Sequence, residues 1–492
     1  MKAVTIAGGG LAGSEAAWQA AERGAPVTLY EMRPARSTPA HKTDRLAELV
    51  CSNSLKSNSP GAASWLLKEE MRRAGSLLMY LADAAAVPGG SALAVDREKF
   101  SQSVTDAITG HPGIELRREE LRQIPRGASV PPVLRFAVSR EEERTGHPSS
   151  PDTPTIIATG PLTSDSLATQ LQVLTGSGNL AFYDSISPIV DAETLCLDRI
   201  FRASRYGKGS DDYLNCPMSE EEYRVFYEAL RGAETAEAHA FENLNYFEAC
   251  LPIEELARRG YDTLRFGPMK PVGLVDPRTG RQPYAVVQLR AENLRVSSYN
   301  LVGFQNHLRF PEQKRILRLI PGLEHAEFLR FGQIHRNTYI NAPRLLSQDL
   351  SLRRAPGIFI AGQLSGVEGY VECIATGLLA GLAAGCRAAG AVFTPPPRTT
   401  ALGSLVHYIT HADSAHYQPA NMSFDLLPPF EGLPRHIARD RKARRQRQCD
   451  RALADIIGWL ESERRQEATV RSQKAEGRAG SEIGMPFFPP VS

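Results

Sequence analysis

The chain begins with a short apolar segment that runs into a glycine-rich turn and then into a helix-forming stretch. After residues 4–7 the sequence reads Gly8-Gly9-Gly10-Leu11-Ala12-Gly13, a Gly-x-Gly-x-x-Gly motif. In such a motif the first glycine permits a tight turn, the second lets backbone N–H groups approach a pyrophosphate, and the third lets the helix pack against the strand. The pattern predicts a dinucleotide site at the start of the helix.

The residues that follow the motif complete a strand–helix–strand unit. Helix-forming residues occupy 12–23, Gly24 is placed to end the helix, and 26–30 has the pattern of a second strand. Glu31 closes that strand 18 residues after Gly13, close to the separation at which an acidic residue meets a ribose hydroxyl. A flexible glycine-rich loop without a ligand is the alternative, and this context disfavours it.

Length and composition limit what the rest of the chain can be. A chain of 492 residues exceeds what one hydrophobic core organises, so we expect two or three domains. A hydrophobic content of 42% with 23% charged residues is typical of soluble globular proteins. We find no apolar run of the roughly 20 residues that a membrane helix needs, and the N-terminus begins a strand rather than a signal peptide. We therefore expect a cytoplasmic protein that binds no membrane, and the net charge of +2 does not by itself indicate nucleic-acid binding.

The seven cysteines are odd in number and widely spaced, and none forms a Cys-x-x-Cys pair. They stand at positions 51, 196, 216, 250, 373, 386 and 449. This spacing argues against disulfides and against a structural zinc site, and we predict no metal. The chemistry of individual thiols becomes the question.

Two further strand ends carry small residues. Residues 155–160 form an apolar segment that ends in Ala158-Thr159-Gly160, where the chain can pass close to a cofactor, although an ordinary turn is the alternative. Late in the chain, 357–363 ends in Gly362-Gln363, and Gly366 precedes a second helix start. A helix start offers oriented N–H groups to a phosphate or to the anionic edge of a reduced flavin. One early and one late element of this kind favour FAD over a nicotinamide nucleotide as the tightly held cofactor.

The order of these patterns predicts an α/β protein with a Rossmann-like FAD-binding domain, an inserted smaller α+β domain and a helical C-terminal tail. We assign 1–185 and 301–395 to the FAD-binding domain and 186–300, with its acidic helical runs and proline breaks, to an inserted substrate or RNA domain. The tail is 396–492. The polar stretch 137–150 is predicted to be an exposed loop without chemistry.

The tail contains a strongly basic run. Seven of the thirteen residues 435–447 are Arg or Lys, which is equally compatible with a solvated helix face and with phosphate contacts to nucleic acid. We expect the last 25 or so residues to be disordered.

Eight local strings stand out along roughly residues 1–455. In chain order they are 8–17 (GGGLAGSEAA), 30–34 (YEMRP), 47–54 (AELVCSNS), 90–97 (GSALAVDR), 213–218 (YLNCPM), 266–274 (FGPMKPVGL), 284–290 (YAVVQLR) and 362–372 (GQLSGVEGYVE). Together they resemble the folate- and FAD-dependent tRNA (uracil-5-)-methyltransferases. The chain departs from the family's pattern at Ser365, where Thr is expected, and at Cys373, where a small residue is expected.

The resemblance implies formation of 5-methyluridine in the T-loop of tRNA. Methylenetetrahydrofolate would supply the carbon and reduced FAD the electrons, with FAD reduced in turn by NADPH or NADH. C5 of uracil becomes a nucleophile only after a thiolate adds to C6. The family's two catalytic thiols correspond to Cys51 and Cys216. We assign Cys216 as the nucleophile on C6 and Cys51 as the second thiol, and the reverse assignment stays open.

The sequence around Cys216 suggests a turn, because Pro217 biases the preceding residue away from helix. Basic neighbours are expected to lower the pKa of this thiol, with Arg205, Lys208 and Lys270 as candidates. The other cysteines are expected to behave as small buried hydrophobes.

Further candidates for binding folate or RNA carry charged or imidazole side chains, and each has a purely structural role as its alternative. They are Arg97, Lys270, Arg290, His307, His335, Arg336 and Glu368.

Three other functions remain open. A related FAD-containing protein that modifies the wobble uridine of tRNA would need a partner protein, whereas the sequence gives no sign of an obligatory protein partner. A nicotinamide-dependent flavin oxidoreductase would carry a second Gly-x-Gly-x-x-Gly, which we do not find. An RNA-binding protein with a vestigial flavin site is the third. The target of C5 methylation, tRNA or ribosomal RNA, is also left open.

Overall fold

A computed structural model describes residues 1–38, 40–125, 153–175, 180–185, 187–207, 211–235, 251–293, 295–332, 334–415, 417–430 and 440–481. For 180–185, 334–338, 467 and 469–481 it describes the course of the backbone only. The stretch 137–150 and the first part of the basic run, 435–439, lie outside the described residues.

The described strands are, in chain order, β1 (Val4–Ala7), β2 (Val27–Tyr30), β3 (Ser54–Ser57), β4 (Ala86–Val87), β5 (Ala92–Val95), β6 (Ile114–Arg117), β7 (Thr155–Ile157), β8 (Leu180–Ser185), β9 (Ile189–Asp191), β10 (Phe201–Arg202), β11 (Tyr213–Met218), β12 (Ala285–Ala291), β13 (Ser298–Leu301), β14 (Phe328–Arg330), β15 (Ile334–Tyr339), β16 (Ser351–Leu352) and β17 (Ala355–Ile360).

The described α-helices are α1 (Leu11–Glu22), α2 (Ala63–Arg73), α3 (Leu77–Ala84), α4 (Arg97–Gly110), α5 (Asp165–Thr175), α6 (Glu220–Arg231), α7 (Ile253–Arg259), α8 (Thr263–Phe266), α9 (Phe310–Leu317), α10 (Ala342–Leu345), α11 (Tyr370–Ala389), α12 (Ala401–His411) and α13 (Arg441–Ser481).

The first domain is built on a six-stranded sheet with the order β16-β17-β7-β1-β2-β6. Its neighbouring strands run parallel except for β16, which pairs antiparallel with β17. Strands β1 and β7 are buried along their whole length, as expected for a parallel sheet covered on both faces. This architecture confirms the predicted α/β class.

Helices α1 and α11 cross in close contact because small residues face each other. A Cβ atom on Gly377 would lie 2.3 Å from the carbonyl oxygen of Ala12, and one on Gly381 would lie 2.5 Å from that of Ala16. Side chains at these two glycines would therefore force the helices apart. The close crossing joins the first helix of the chain to a helix that begins more than three hundred residues later.

The second domain is built on an antiparallel sheet with the order β10-β11-β12-β13-β9-β14. Its own hydrophobic core receives residues from α6, α7, α8 and α9. The predicted return to the first domain at residue 301 is too early, because β14 pairs with β9 and the second core continues to Ala326. Strands β8 and β15 pair with each other as the chain enters and leaves this domain.

The tail packs on the first domain. Residues of α12 such as Leu402 and residues of α13 such as Ile456 belong to the first hydrophobic core, in agreement with the predicted helical tail. Helix α13 continues to Ser481, so the disorder predicted for the last 25 or so residues is wrong up to that point. Residues 482–492 lie outside the described part of the chain.

Contrary to the sequence-based expectation, one helix among the described residues is long and apolar enough to cross a membrane. It is α11, and 89% of its apolar stretch is buried inside the fold. Such burial is typical of a core helix, as its close crossing with α1 requires.

Candidate active site

Four strands of the first sheet end at one cleft. Strands β1, β2, β7 and β17 are parallel, so their carboxyl ends meet at the same edge of the sheet, where ligands bind in open α/β folds. Of the predicted cofactor residues, those that line the cleft are Gly8, Gly10, Leu11, Ala12, Glu31, Thr159, Gly160, Gly362 and Gln363. The remaining three, Gly9, Gly13 and Gly366, are not among its lining residues.

The first glycine turn has the geometry that the motif predicts. Gly8 has φ +100°, and a Cβ there would lie 2.6 Å from the carbonyl oxygen of Ala158. A Cβ on Gly13 would lie 1.7 Å from the carbonyl oxygen of Gly8, so the helix can approach the turn only without a side chain. At Gly10, by contrast, a Cβ would meet nothing within 4 Å.

The N-terminus of α1 opens into the cleft. Gly10 is its N-cap and provides no side-chain capping bond, and Leu11 and Ala12 line the cleft. The first N–H groups of a helix need partners, and they carry partial positive charge. This helix end therefore fits the pyrophosphate of a dinucleotide.

Glu31 is held by its own surroundings. Its carboxylate oxygens accept hydrogen bonds from the N–H of Gly9 at 3.0 Å and from the N–H, Nε and Nη2 of Arg33. Burial acts to raise the pKa of Glu31, but the bonds and charge of Arg33 outweigh it and lower the pKa. These four bonds fill the acceptor sites of a carboxylate, so a ribose hydroxyl must displace one of them to bind here.

A second helix N-terminus reaches the same cleft from α11. Its N-cap, Gly369, has φ +106° and likewise provides no side-chain cap, and Gly369, Tyr370 and Cys373 line the cleft. Gly366 has φ +84°, and a Cβ there would lie 2.1 Å from Oη of Tyr417, so the turn before α11 requires a glycine at this position. Two uncapped helix starts at one cleft fit a cofactor with both a pyrophosphate and an electron-rich ring, which FAD has.

Cys51 lines this cleft and is half-buried. The backbone N–H groups of Cys51 and Ser52 donate to Oη of Tyr370 at 2.7 and 3.2 Å. On the other side Nη1 of Arg97 donates to the carbonyl oxygen of Leu49 at 2.8 Å. The structure therefore places one of the two predicted catalytic thiols where the two helix starts converge.

Cys216 is placed elsewhere. It lies within β11, its side chain has no exposed surface, and it belongs to the core of the second domain. The turn predicted at this position is wrong, because Pro217 sits opposite Val286 in the antiparallel ladder. Strand β10 pairs only with Leu214 and Asn215, so Pro217 lies where β11 has one paired neighbour, a position that proline tolerates.

The electrostatic expectation for Cys216 is also wrong. Burial raises the pKa of this thiol far above its ordinary value, and the negative charge of Glu324 adds to the rise. Arg205 instead donates to the side chain of Gln288, and Lys270 is exposed. Lys208 lies outside the described residues. A buried thiol with a raised pKa is a poor nucleophile as the structure stands.

The other candidates divide into two groups. Arg97 and Arg290 hold the segment around Cys51, and Glu368 lines the cleft and accepts a bond from Asn421 at 3.0 Å. His307 is buried in the second domain, where its backbone N–H donates to Oε1 of Glu254 at 2.8 Å, and it is not among the residues that line the cleft. Lys270 is on the surface, and the side chains of His335 and Arg336 lie outside the described part.

Several cleft residues were not predicted. Tyr370 lies within a quoted string, but nothing local indicates that its hydroxyl reaches residue 51. Lys56 lines the cleft and forms a 2.8 Å ion pair with Glu372, and it also donates to Asn421 in the tail. Gln305, which follows β13 of the second domain, also lines the cleft. These contacts join segments that are far apart in sequence, so spacing gives no signal for them.

Among the described residues, no group of three or more His, Cys, Asp and Glu side chains is arranged to hold a metal ion. None of the six described cysteines forms a disulfide.

The fold and the site together define a flavoprotein with a dinucleotide cleft, and comparison with known proteins agrees. The family model of GIDA, glucose inhibited division protein A, matches residues 3–391. Two crystal forms of GidA from Aquifex aeolicus align with TM-scores of 0.65 and 0.63 and 14% and 15% identity. The alignments cover 98% of this chain and 77% and 80% of those chains, and at such identity they show the fold alone.

Curated relatives are much more similar in sequence. Proteins named methylenetetrahydrofolate--tRNA-(uracil-5-)-methyltransferase TrmFO are 60% identical in Solibacter usitatus, 56% in Koribacter versatilis and 52% in Thermus thermophilus. These matches cover 92%, 93% and 94% of this chain and 97%, 98% and 97% of the relatives. The chain belongs to the GIDA family and, within it, to the TrmFO methyltransferases, which confirms the resemblance drawn from its motifs.

Proposed function

We propose that this protein methylates C5 of a uridine in tRNA, with methylenetetrahydrofolate as carbon donor and reduced FAD as electron donor. The observation that carries the proposal is the position of the Cys51 thiol in a cleft where two uncapped helix N-termini meet. The assignment of tRNA as substrate and of methylenetetrahydrofolate as carbon donor rests on the membership of the chain among the TrmFO methyltransferases. FAD, when bound and reduced, would supply the two electrons that turn a methylene group into a methyl group.

The N–H groups at the start of α1 would hold the pyrophosphate of FAD. Those at the start of α11 would face the pyrimidine edge of the flavin and stabilise its negative charge after reduction. The target uridine must leave the stacked RNA to enter the cleft, which is the general strategy of enzymes that act on a base.

We assign Cys51 as the thiol that adds to C6 of the uracil, the reverse of the assignment favoured by the sequence. Its thiolate forms a carbon–sulfur bond to C6, and the ring electrons shift so that C5 attacks the methylene carbon. Loss of the C5 proton then expels tetrahydrofolate from that carbon and leaves a methylene group on C5. When this group takes up the two electrons named above, the carbon–sulfur bond to C6 breaks and the thiolate is regenerated. The half-buried position of Cys51 in the cleft supports this role, and the complete burial of Cys216 speaks against it.

Three finer points belong to the same proposal and rest on the family resemblance. The target is the T-loop uridine, NADPH or NADH reduces the flavin, and the enzyme acts in the cytoplasm.

The exposed Arg441, Lys442 and Arg444 at the start of α13 fit contacts to tRNA phosphates, because clustered basic side chains are the usual electrostatic footprint of RNA binding.

The direct test is a methylation assay on unmodified tRNA. The protein is incubated with the tRNA, methylenetetrahydrofolate and NADPH, and the digested RNA is analysed by mass spectrometry for 5-methyluridine and its position. We expect one methyl group at the T-loop uridine. A carboxymethylaminomethyl group at the wobble position, or methylation of ribosomal RNA alone, would contradict the proposal.

The thiol assignment is tested with three alanine variants that retain their flavin. Cys51→Ala is expected to lose methylation by on the order of 10³-fold and to lose covalent trapping by RNA that carries 5-fluorouridine. Cys216→Ala should still be trapped, and Cys196→Ala serves as the control because Cys196 lies outside the cleft lining. Trapping by Cys51→Ala but not by Cys216→Ala would restore the original assignment.

A further inference from the structure

We propose that Arg290 is a positioning residue that holds the Cys51 thiol in place from the second domain. The inference rests on the proposed role of Cys51. It concerns the segment 46–53, called here the Cys51 loop, which belongs to the first domain but touches both. Arg290 lies on β12 and is 6% exposed.

Arg290 makes two side-chain hydrogen bonds to residues that directly follow Cys51. Its Nη2 donates to Oγ of Ser52 at 2.7 Å, and its Nε donates to Oδ1 of Asn53 at 2.8 Å. Two donors on one planar group fix both the distance and the direction of the partners, which a lysine in this position would not do.

Asn53 extends the connection. It is fully buried, and its Nδ2 donates to the carbonyl oxygen of Val95 in the first domain and to that of Ala291 in the second. One amide thus binds both domains while its oxygen accepts from Arg290. A network in which each group has its partner specifies one arrangement of the backbone.

The opposite side of the Cys51 loop is held by the first domain. Oη of Tyr370 accepts from the N–H groups of Cys51 and Ser52, as described above. Ser52 therefore makes hydrogen bonds to both domains: its backbone N–H binds Tyr370 of α11, and its hydroxyl binds Arg290 of β12. Cys51 is adjacent to this double contact. Removal of Arg290 takes away the side-chain bonds to Ser52 and Asn53 and lets the thiol depart from the geometry needed for attack on C6.

A second arginine, Arg97, also connects the Cys51 loop to the end of β12. Nη2 of Arg97 donates to Oε1 of Glu292, two residues after Arg290 on the same chain segment, while Nη1 of Arg97 binds the Cys51 loop at Leu49. The loop is thus tied to the end of β12 at two places. Arg290 is nevertheless absent from the cleft lining, so its effect must act through the loop and not through contact with FAD.

The test compares Arg290→Met, Arg290→Lys and Ser52→Ala with the parent holoenzyme. Arg278→Met is the matched control, because Arg278 pairs with Asp276 in the same domain and does not touch the loop. We measure flavin content, kcat and KM for tRNA and folate, and the rate of trapping by 5-fluorouridine RNA.

Arg290→Met should keep its flavin and its KM values within about twofold and lose at least about 10-fold in kcat and in trapping rate. Arg290→Lys should fall between the parent and Arg290→Met, and Ser52→Ala should show a smaller loss of the same kind. The double variant Arg290→Met/Ser52→Ala should be no slower than Arg290→Met, since both changes remove one shared contact.

Parent-like kcat and trapping in a folded, flavin-bound Arg290→Met variant would overturn the inference, as would fully additive losses in the double variant. If Arg290→Met does not fold, the test rests on Ser52→Ala. A lower kcat with unchanged KM values would support the inference, and parent-like kcat would overturn it. The role of Cys51 is checked separately: full activity of Cys51→Ala would overturn the proposed function, whereas an inactive Cys51→Ala with a parent-like Arg290→Met would overturn only the present inference.

Discussion

The phenol oxygen of Tyr370 accepts a 2.7 Å hydrogen bond from the backbone N–H of Cys51, a residue 319 positions earlier in the chain. Tyr370 is the first residue of α11, whose N-terminus opens into the cleft. The same side chain therefore marks the predicted flavin edge and holds the thiol loop. This contact therefore helps to set the position of the Cys51 sulfur relative to the cleft.

The first prediction concerns that contact. Tyr370→Phe leaves the half-buried N–H groups of Cys51 and Ser52 without their acceptor, and an unsatisfied donor costs about 1 kcal/mol or more, depending on its burial. We expect methylation to slow by roughly 10-fold or more while flavin remains bound. Urea unfolding and the methylation assay check both effects, with the exposed Tyr80→Phe as control. Unchanged activity would mean that the loop keeps its position without the phenol.

The second prediction separates two glycines of the same motif. Gly13→Ala places a Cβ 1.7 Å from a carbonyl oxygen, so it should destabilise the first domain by about 3 kcal/mol or more. Gly10→Ala meets no protein atom, so the protein should fold normally but bind FAD at least about 10-fold more weakly, because the methyl group projects into the place of the pyrophosphate. Circular dichroism and flavin titration distinguish the two effects. Normal FAD affinity in Gly10→Ala would contradict the placement of the pyrophosphate at this helix start.

The third prediction concerns the pH dependence of stability. Glu70 is fully buried, and burial raises its pKa from 4.5 to about 8, although the N–H groups of Ala401 and Leu402 that donate to it act in the opposite direction. Between these two values the folded chain holds a proton that the unfolded chain has released, so stability falls as the pH rises.

Relative to Glu70→Gln, the parent should therefore lose stability between about pH 5 and pH 8, with a slope of up to about 1.4 kcal/mol per pH unit. Urea unfolding at several pH values, at constant FAD saturation, measures this difference. The exposed Glu98→Gln should show no such trend. A difference between parent and Glu70→Gln that is independent of pH would show that Glu70 is ionised in the fold.

The fourth prediction uses the chemistry of the two cysteines directly. In the folded protein, iodoacetamide should modify Cys51 at least about 10-fold faster than Cys216, because Cys216 is buried and its pKa is raised. Peptide mass spectrometry quantifies both sites, and Cys449, which is also buried, is the internal control. Both protected thiols should react once urea unfolds the chain. Rapid modification of Cys216 in the folded protein would indicate that β11 opens to solvent.

The parts of the site that could be predicted are those whose geometry depends on residues close together in sequence. Gly13 is required by its approach to the carbonyl oxygen of Gly8 within one strand–turn–helix unit, and Gly8 by the positive φ of the turn, so their positions along the chain are sufficient to identify them. The carboxyl ends of parallel strands meet at one edge, which is why Glu31, Thr159 and Gly362 converge as expected.

The position of Cys216 was not predictable in this way. Side chains alternate between the two faces of a strand, and the face that becomes buried depends on what packs against the sheet. Leu214, Cys216 and Met218 face the core that α6 and α7 complete, and no pattern near residue 216 specifies that partner. The local cue, a proline after the cysteine, instead suggested a turn.

The sequence by itself therefore determined the family, the dinucleotide turn and the two cysteines that are proposed as catalytic, because these depend on residue type and short spacing. Only the tertiary structure decided which thiol reaches the cleft and which groups hold it. Tyr370 of the first domain and Arg290 of the second contact the Cys51 loop from 319 and 238 positions away, and contacts at such separations arise from tertiary packing rather than from any local preference of the chain.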